Sequence, residues 1–165
     1  MSTTTAASQQ QPDDPILRWV TFRLDKEKYC VNVMLVQEVL RISEIAPVPG
    51  APGYVLGIIN LRGNVVTVVD TRKRFGLMPK EIDDASRIVI IEVNNNVIGM
   101  LVDSVADVVD LRKSEIEGAP NVGTDESSKY IQGVASRENE LLIVVDLNKF
   151  LLEEEWGDMA NAVRI

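Results

Sequence analysis

The residues best suited to act on another molecule stand in the corner Asn60-Leu61-Arg62-Gly63, inside the run GIINLRGNVVTVVD from Gly57 to Asp70. Asn suits the first position of a type I turn, and Gly at the fourth supplies the positive φ that closes a bulged hairpin. Such a turn leaves Leu61 and Arg62 at the apex. An apolar side chain beside a guanidinium, held between Ile- and Val-rich strands, is the chemistry of a protein-binding anchor. The alternative is an ordinary hairpin whose Arg is simply solvated, and residue types alone leave both readings open.

Other chemistries are narrowed by composition. The chain has no histidine, which removes Ser-His-Asp and Cys-His nucleophile pairs, His metal sites and any phosphohistidine relay. Acidic pairs remain at Asp83-Asp84 and at Glu153-Glu154-Glu155, but they sit in polar stretches where a solvated charge run is the simpler account. Cys30 is the one cysteine; it excludes an intramolecular disulfide and suits a reducing compartment, most simply as a small buried thiol. No catalytic residue, metal site or cofactor is therefore expected. A net charge of -8 over 165 residues, with scattered basic residues, argues against a nucleic-acid partner. No apolar run reaches the length of a membrane span, and the start MSTTTAASQQQPDD lacks the basic and apolar regions of a signal peptide. Residues 1–15 read as a disordered tail, and the protein is expected in the cytoplasm without insertion in a membrane.

The elements that must position the corner are short strands. Ile16 to Leu24 alternates with Ile16, Val20, Phe22 and Leu24 on one face, and Tyr29, Val31 and Val33 give a return strand. From Met34 to Leu40 the spacing of Leu35, Val36, Val39 and Leu40 predicts a short helical turn with Gln37 and Glu38 outward. The run IAPVPGAPG (Ile45 to Gly53) reads as a loop, either a structural crossover or a polyproline ligand. Asp70 is placed to cap a short segment that Gly76 ends. The polar stretch after Gly76 reads as a boundary. Arg87 to Val93 and Val97 to Val102 form another hairpin, and Ile131 to Asp146 is again strand, corner, strand. A helix capped by Asp146 is expected from Leu147 to Trp156, stopped by Gly157, leading into an acidic tail over 153–165.

The two halves repeat each other. An offset of 69 places Leu24 on Val93, Tyr29 on Ile98, Val36 on Val105 and Val39 on Val108; an offset of 76 places Gly57 on Gly133 and Val68-Val69-Asp70 on Val144-Val145-Asp146. The copies span about 16–76 and 86–152, which implies an all-β protein of two similar units of five strands. The corner Asn60-Leu61-Arg62-Gly63 aligns with Ser136-Arg137-Glu138-Asn139, so the turn chemistry survives while the apex changes. Either the first corner has a role that its twin lacks, or the difference is drift at an exposed turn.

With VQEVLR (Val36 to Arg41), Ala51-Pro52, the NLRG corner and its following strand, and the late GVASRENELLIVVDLNKFL, the chain resembles the CheW family of chemotaxis coupling proteins from about Ile16 to Leu152. Thr67 stands where many members carry proline, a change that restores one backbone N–H. The resemblance implies two five-stranded SH3-like β-barrel subdomains packed together, with short helices and a C-terminal helix. It also implies a non-catalytic adaptor joining the cytoplasmic tip of methyl-accepting chemoreceptors to the regulatory domain of the histidine kinase CheA, with further copies of itself as partners in array rings. On that basis Gly57, Asn60, Leu61, Arg62 and Gly63 are expected to meet the kinase, and Val36, Glu38, Val39 and Ile88 the receptor helices, core packing being the other reading of the apolar three. Glu38 is further expected to hold Arg62 across the fold. A related regulator with an added receiver domain is disfavoured, since too few residues follow Leu152.

Overall fold

The computed structural model describes residues 14–118 and 129–150. Ten strands carry the chain: β1 (Ile16–Leu24), β2 (Glu27–Asn32), β3 (Val36–Arg41), β4 (Val55–Leu61), β5 (Asn64–Asp70), β6 (Arg87–Val93), β7 (Asn96–Val102), β8 (Ser104–Arg112), β9 (Ile131–Arg137) and β10 (Glu140–Val145). Two four-residue helices follow β5 and β10: α1 (Thr71–Arg74) and α2 (Leu147–Phe150). The expected helix beyond Phe150, its stop at Gly157, the acidic tail and most of the N-terminal tail lie outside the described residues.

The strands form two five-stranded sheets, in the orders β9-β10-β2-β1-β8 and β4-β5-β7-β6-β3. Under the two sequence offsets these orders are the same, strand for strand, so the sheets are related by the repeat. The sheets nevertheless do not follow the two halves of the sequence. Each takes one hairpin from one half and three strands from the other, joined through the parallel pairs β10–β2 and β5–β7. The chain crosses between sheets twice, by the 3-10 turn Val33–Leu35 after β2 and by the single residue Asp103 between β7 and β8.

This exchange explains the sequence pattern of the central strands. In β2, Tyr29 and Val31 face the cluster shared by both sheets while Cys30 faces the interior of its own sheet; in β6, Val89 and Ile91 face the shared cluster and Ile88 and Ile90 their own sheet. Both faces are covered, so these strands read as unbroken apolar runs, as strands buried on both sides do. The shared cluster is threaded by ring contacts: Phe22 with Tyr29 at 5.8 Å, Tyr29 with Phe75 at 5.6 Å, Phe75 with Tyr130 at 5.6 Å, and Phe150 against both Phe75 and Tyr130. Burial pushes the Cys30 thiol up to about 12, which leaves it protonated and unreactive at neutral pH.

One expected element is different. Val36–Arg41 is an edge strand paired with β6, not a helical turn, and only Val33–Leu35 before it is helical. The strand alternates in exposure, but the covered positions hold Val36, Glu38 and Leu40 while apolar Val39 points outward. A carboxylate on the covered side and a valine on the open side invert the usual alternation and imitate helical spacing. The cap at α1 is as expected: the Asp70 carboxylate accepts from the backbone N–H of Arg72 and Lys73, and Gly76, at φ 75°, follows the end of the helix.

Phe75 is fully buried and touches three other rings. Phe75→Ala should therefore cost about 3–5 kcal/mol of unfolding free energy, read as a lower denaturant midpoint in a circular-dichroism titration; a midpoint unchanged from wild type would place the junction between the sheets elsewhere.

Candidate functional site

The corner between β4 and β5 turns one residue later than the type I reading of Asn60–Gly63 places it. Leu61 and Asn64 still pair in the ladder, and only Arg62 and Gly63 form the loop, at φ 51° and 88°. Two positive φ values mark a primed two-residue turn, whose twist matches the strands it joins. Gly63 takes this conformation without a Cβ penalty, while Arg62 does so against its preference. The Asn60 side chain accepts a hydrogen bond from the Gly63 backbone N–H at 2.8 Å and locks the loop. Leu61 is thus the last residue of the strand rather than the apex: it is half-buried and packs on the interior cluster of its sheet. The apex side chain is that of Arg62 alone.

Gly57 sits at the base of this hairpin. A Cβ there would lie 2.1 Å from the Ala46 carbonyl oxygen, because Ala46 and Ile58 exchange two backbone hydrogen bonds, of 2.9 and 2.8 Å, across it. The twin is built the same way: Glu117 and Val134 exchange hydrogen bonds of 2.8 and 2.7 Å, and a Cβ on Gly133 would lie 2.5 Å from the Glu117 carbonyl oxygen. Gly57 is buried and supports the corner from below.

Glu38, on β3, reaches the Arg62 guanidinium through both carboxylate oxygens: Nη1 donates to Oε1 at 3.4 Å and Nη2 donates to Oε2. Paired donors on paired acceptors fix the plane of the guanidinium as well as its position. The hydrogen bond from Arg62 holds the Glu38 carboxyl below its ordinary value, and the same bond raises Arg62. The Arg62 side chain remains 70% exposed, so the clasp orients a cation that still faces solvent.

The remaining expected contacts separate. Val36 is half-buried and packs against the shared cluster, and Val39 is exposed beside Glu38. Ile88 is fully buried inside the second sheet, where its side chain lies over Gly99; it packs the core and has no surface to offer. Val65 adds an exposed apolar side chain that pairs with Asn60 in the ladder beside the corner. The doubled Val65-Val66, which breaks period-two alternation, was the available signal for it.

At the second corner Glu138 and Asn139 form the same loop, at φ 52° and 64°. By the two offsets Glu138 replaces Arg62 and Asp107 replaces Glu38, so two carboxylates stand where the first corner has an ion pair. Asp107 instead bonds the Thr21 hydroxyl and lies 3.4 Å from the Lys28 ammonium; the Thr21 hydrogen bond, with the Lys28 charge, holds its carboxyl below the ordinary range. Arg137 donates to the Asp110 backbone carbonyl at 3.0 Å. Among the described residues, no group of three or more Cys, Asp or Glu side chains is placed to hold a metal ion, and no helix is long and apolar enough to cross a membrane.

Comparison with known proteins places this architecture. The chain is 34% identical to the chemotaxis protein CheW of Rhizobium meliloti over 82% of its own length and 88% of that protein. It is 35% identical to the chemotaxis protein CheW of Bacillus subtilis over 83% of its own length and 88% of that protein. The crystal structure of the scaffolding protein TtCheW from Thermoanaerobacter tengcongensis matches with a TM-score of 0.76 at 31% identity, over 84% of this chain and 95% of that one. The CheW-like domain family matches residues 18–155, and with two exchanged five-stranded sheets and the NLRG corner in place, the chain belongs to the CheW family of chemotaxis scaffold proteins.

Proposed function

We propose that this protein is a cytoplasmic, non-catalytic adaptor that couples methyl-accepting chemoreceptors to the histidine kinase CheA and so places kinase autophosphorylation under receptor control. The observation that carries this reading to particular residues is the Glu38–Arg62 clasp on a rigid exposed corner, for which the second corner has no equivalent. In this reading Arg62 is the contact made to the regulatory domain of CheA. Asn60 and Gly63 shape the loop, Leu61 anchors it, and Gly57 sets its base. Val36, Glu38 and Val39 lie on β3, an edge strand, with Val39 on its open face and Val36 and Glu38 on its half-covered face, and this strand is the element offered to the receptor's helical tip. Ile88 contributes by packing beneath β3. Recruitment to receptor arrays, and contact with other copies of the chain in their rings, follow from the same role.

Purified protein, a chemoreceptor signalling fragment and CheA provide the test. Wild type should form the ternary complex and support receptor-dependent autophosphorylation. Arg62→Ala should weaken kinase binding about tenfold or more, as loss of an interface arginine commonly does, while the thermal midpoint hardly moves because the pair is solvent-exposed. Equal coupling by wild type and variant would remove the corner from the interface, and failure of wild type to bind either partner would overturn the adaptor reading.

The clasp itself is tested by a double-mutant cycle on kinase affinity. If Glu38 acts by orienting Arg62, Glu38→Ala should weaken binding in wild type and do almost nothing in the Arg62→Ala background. Additive losses would show that the two side chains contact partners independently.

A further inference from the structure

Two equivalent strand pairs fill the same ladder position with opposite chemistry. Where β1 pairs with β8, Arg18 stands opposite Asp110, and the arginine Nε donates to the aspartate Oδ1 at 3.2 Å. The offset of 69 makes Arg18 equivalent to Arg87, and Arg41 equivalent to Asp110. Where β6 pairs with β3, Arg87 accordingly stands opposite Arg41. Opposite charges across a ladder stabilise it, and like charges directly opposite destabilise it. One sheet closes this position with an ion pair; its twin holds two cations there and lacks the anion.

The nearby chain holds these cations without neutralising them. Nη1 of Arg87 donates to the backbone carbonyls of Asp84 and Ser86 at 2.8 and 2.7 Å. Arg41 is exposed and Arg87 half-buried, and among the described residues neither has a carboxylate partner. Both line an open hollow of about 150 Å³ that also takes in Asp83, Asp84 and Ser86. The Asp83 carboxylate is committed elsewhere: it lies 3.2 Å from the Lys80 ammonium and accepts from the Ala85 backbone N–H at 2.9 Å and the Ser86 hydroxyl at 3.3 Å. Arg41, Arg87 and Lys80 thus outnumber Asp83 and Asp84. A charge on an edge strand guards it against pairing with another chain, which would account for Arg41 on β3. It does not account for Arg87, because β6 is paired on both sides.

The same face carries an apolar contact. Val39 pairs with Val89, two residues along each strand from Arg41 and Arg87, so the four side chains share one face. Val89 is sealed in the shared cluster, while Val39 stands exposed on the edge strand. We propose that Arg41 and Arg87 form a carboxylate clamp whose occupant is an Asp or Glu side chain on the receptor helix that docks along β3. The inference rests on the adaptor reading and deepens it, adding to Val39 a charged contact that selects the partner. The twin shows which group fits, since the residue equivalent to Arg41 is itself a carboxylate, and a guanidinium fork matches a carboxylate with paired hydrogen bonds. Neighbouring side chains on one face of a strand are about 6–7 Å apart, and one residue of a helix stands about 6 Å along the axis from the fourth after it. A helix with an apolar and an acidic residue four positions apart therefore meets Val39 and the clamp together.

The twin also supplies the test. Arg41→Asp gives this position the residue of its counterpart, so the thermal midpoint should hold or rise. Affinity for the chemoreceptor signalling fragment should nevertheless fall about tenfold or more, as when one side of a hydrogen-bonded charge pair is lost. Arg41→Gln, which removes the charge without adding one, should lose affinity in the same direction. Lys113→Asp makes the same change of charge in the turn after β8 and should bind the fragment as wild type does. Among fragments with single acidic residues of the helical tip changed to lysine, at least one should bind Arg41→Asp more tightly than it binds wild type. Unchanged or increased affinity in the Arg41 variants, an equal loss in Lys113→Asp, or the absence of any such lysine fragment would overturn the clamp and leave the adaptor reading standing. Failure of wild type to bind the fragment at all would overturn both.

Discussion

The central strands of both sheets are buried on two sides at once, and most of the architecture follows from that constraint. Ile88, Val89, Ile90 and Ile91 are all buried, as are Leu142, Ile143, Val144 and Val145. Successive side chains of a strand point to opposite faces, so such a run needs two apolar environments. A single five-stranded sheet closing on itself supplies one. The second arises because the sheets press together over the shared cluster of Phe22, Tyr29, Phe75, Tyr130 and Phe150 with the aliphatic residues around them. Neither sheet has a complete set of buried faces without the other, and each contains strands from both halves of the chain. The two sheets are accordingly expected to fold as one cooperative unit.

The repeat makes the differences between the two ends informative, because the scaffold on each side is the same. Asp70 and Asp146 both cap short helices, and the backbone N–H of each donates to a tyrosine carbonyl, that of Tyr54 or Tyr130, at 2.8 Å. Gly57 and Gly133 both let a preceding loop approach their strand. Against that shared background the charged residues differ. Arg62 faces Glu38 at one corner while Glu138 and Asp107 occupy the matching places at the other, and Arg72 gathers two carboxylates where Asn148 gathers none. Arg74 is a third case: its guanidinium lies 4.3 Å from the Tyr54 ring centroid and 5.0 Å from that of Tyr130, joining the two related tyrosines, while Phe150 takes its place in the other copy. Cation–π contacts of this kind strengthen when desolvated.

Much of this was legible in the sequence, and the gaps have physical causes. Turn residues and alternation located the hairpins, Asp70 announced its helix cap, and the paired glycines exposed the repeat. The opposed charges of Glu38 and Arg62 suggested their contact. What the repeat could not reveal is which copy of a strand pairs with which, since two related strands satisfy the same neighbour equally well; the exchange between sheets is a tertiary choice. The strand at Val36–Arg41 was hidden because Glu38 is on its covered side and Val39 on its open one. Ile88 was ambiguous for the opposite reason: in a run apolar at every position, no periodicity distinguishes an inner face from an outer one. The apex was expected one residue too early, at Leu61-Arg62 rather than Arg62-Gly63, because Arg62 adopts a positive φ that its residue type disfavours. Arg72 gave no sequence signal, as its carboxylate partners lie far away in the chain at Asp25 and Asp103.

Arg62 and Arg72 bracket a single strand. Arg62 immediately precedes β5 by way of Gly63, and Arg72 follows it within α1; the first is held to β3 of the same sheet, the second to a turn and a crossover that lead into the other sheet. Between them β5 is flanked on both sides by ladder partners, antiparallel to β4 and parallel to β7. The exposed tip and the buried junction are therefore opposite ends of one stiff element, each fixed by a bidentate guanidinium–carboxylate contact. A scaffold contributes geometry: contacts presented with little freedom left to lose on binding. An arginine on a long flexible stem is a poor fixed contact when free in solvent. Clasped by Glu38 at the end of a strand anchored through Arg72, it presents its cation from a defined position relative to both sheets.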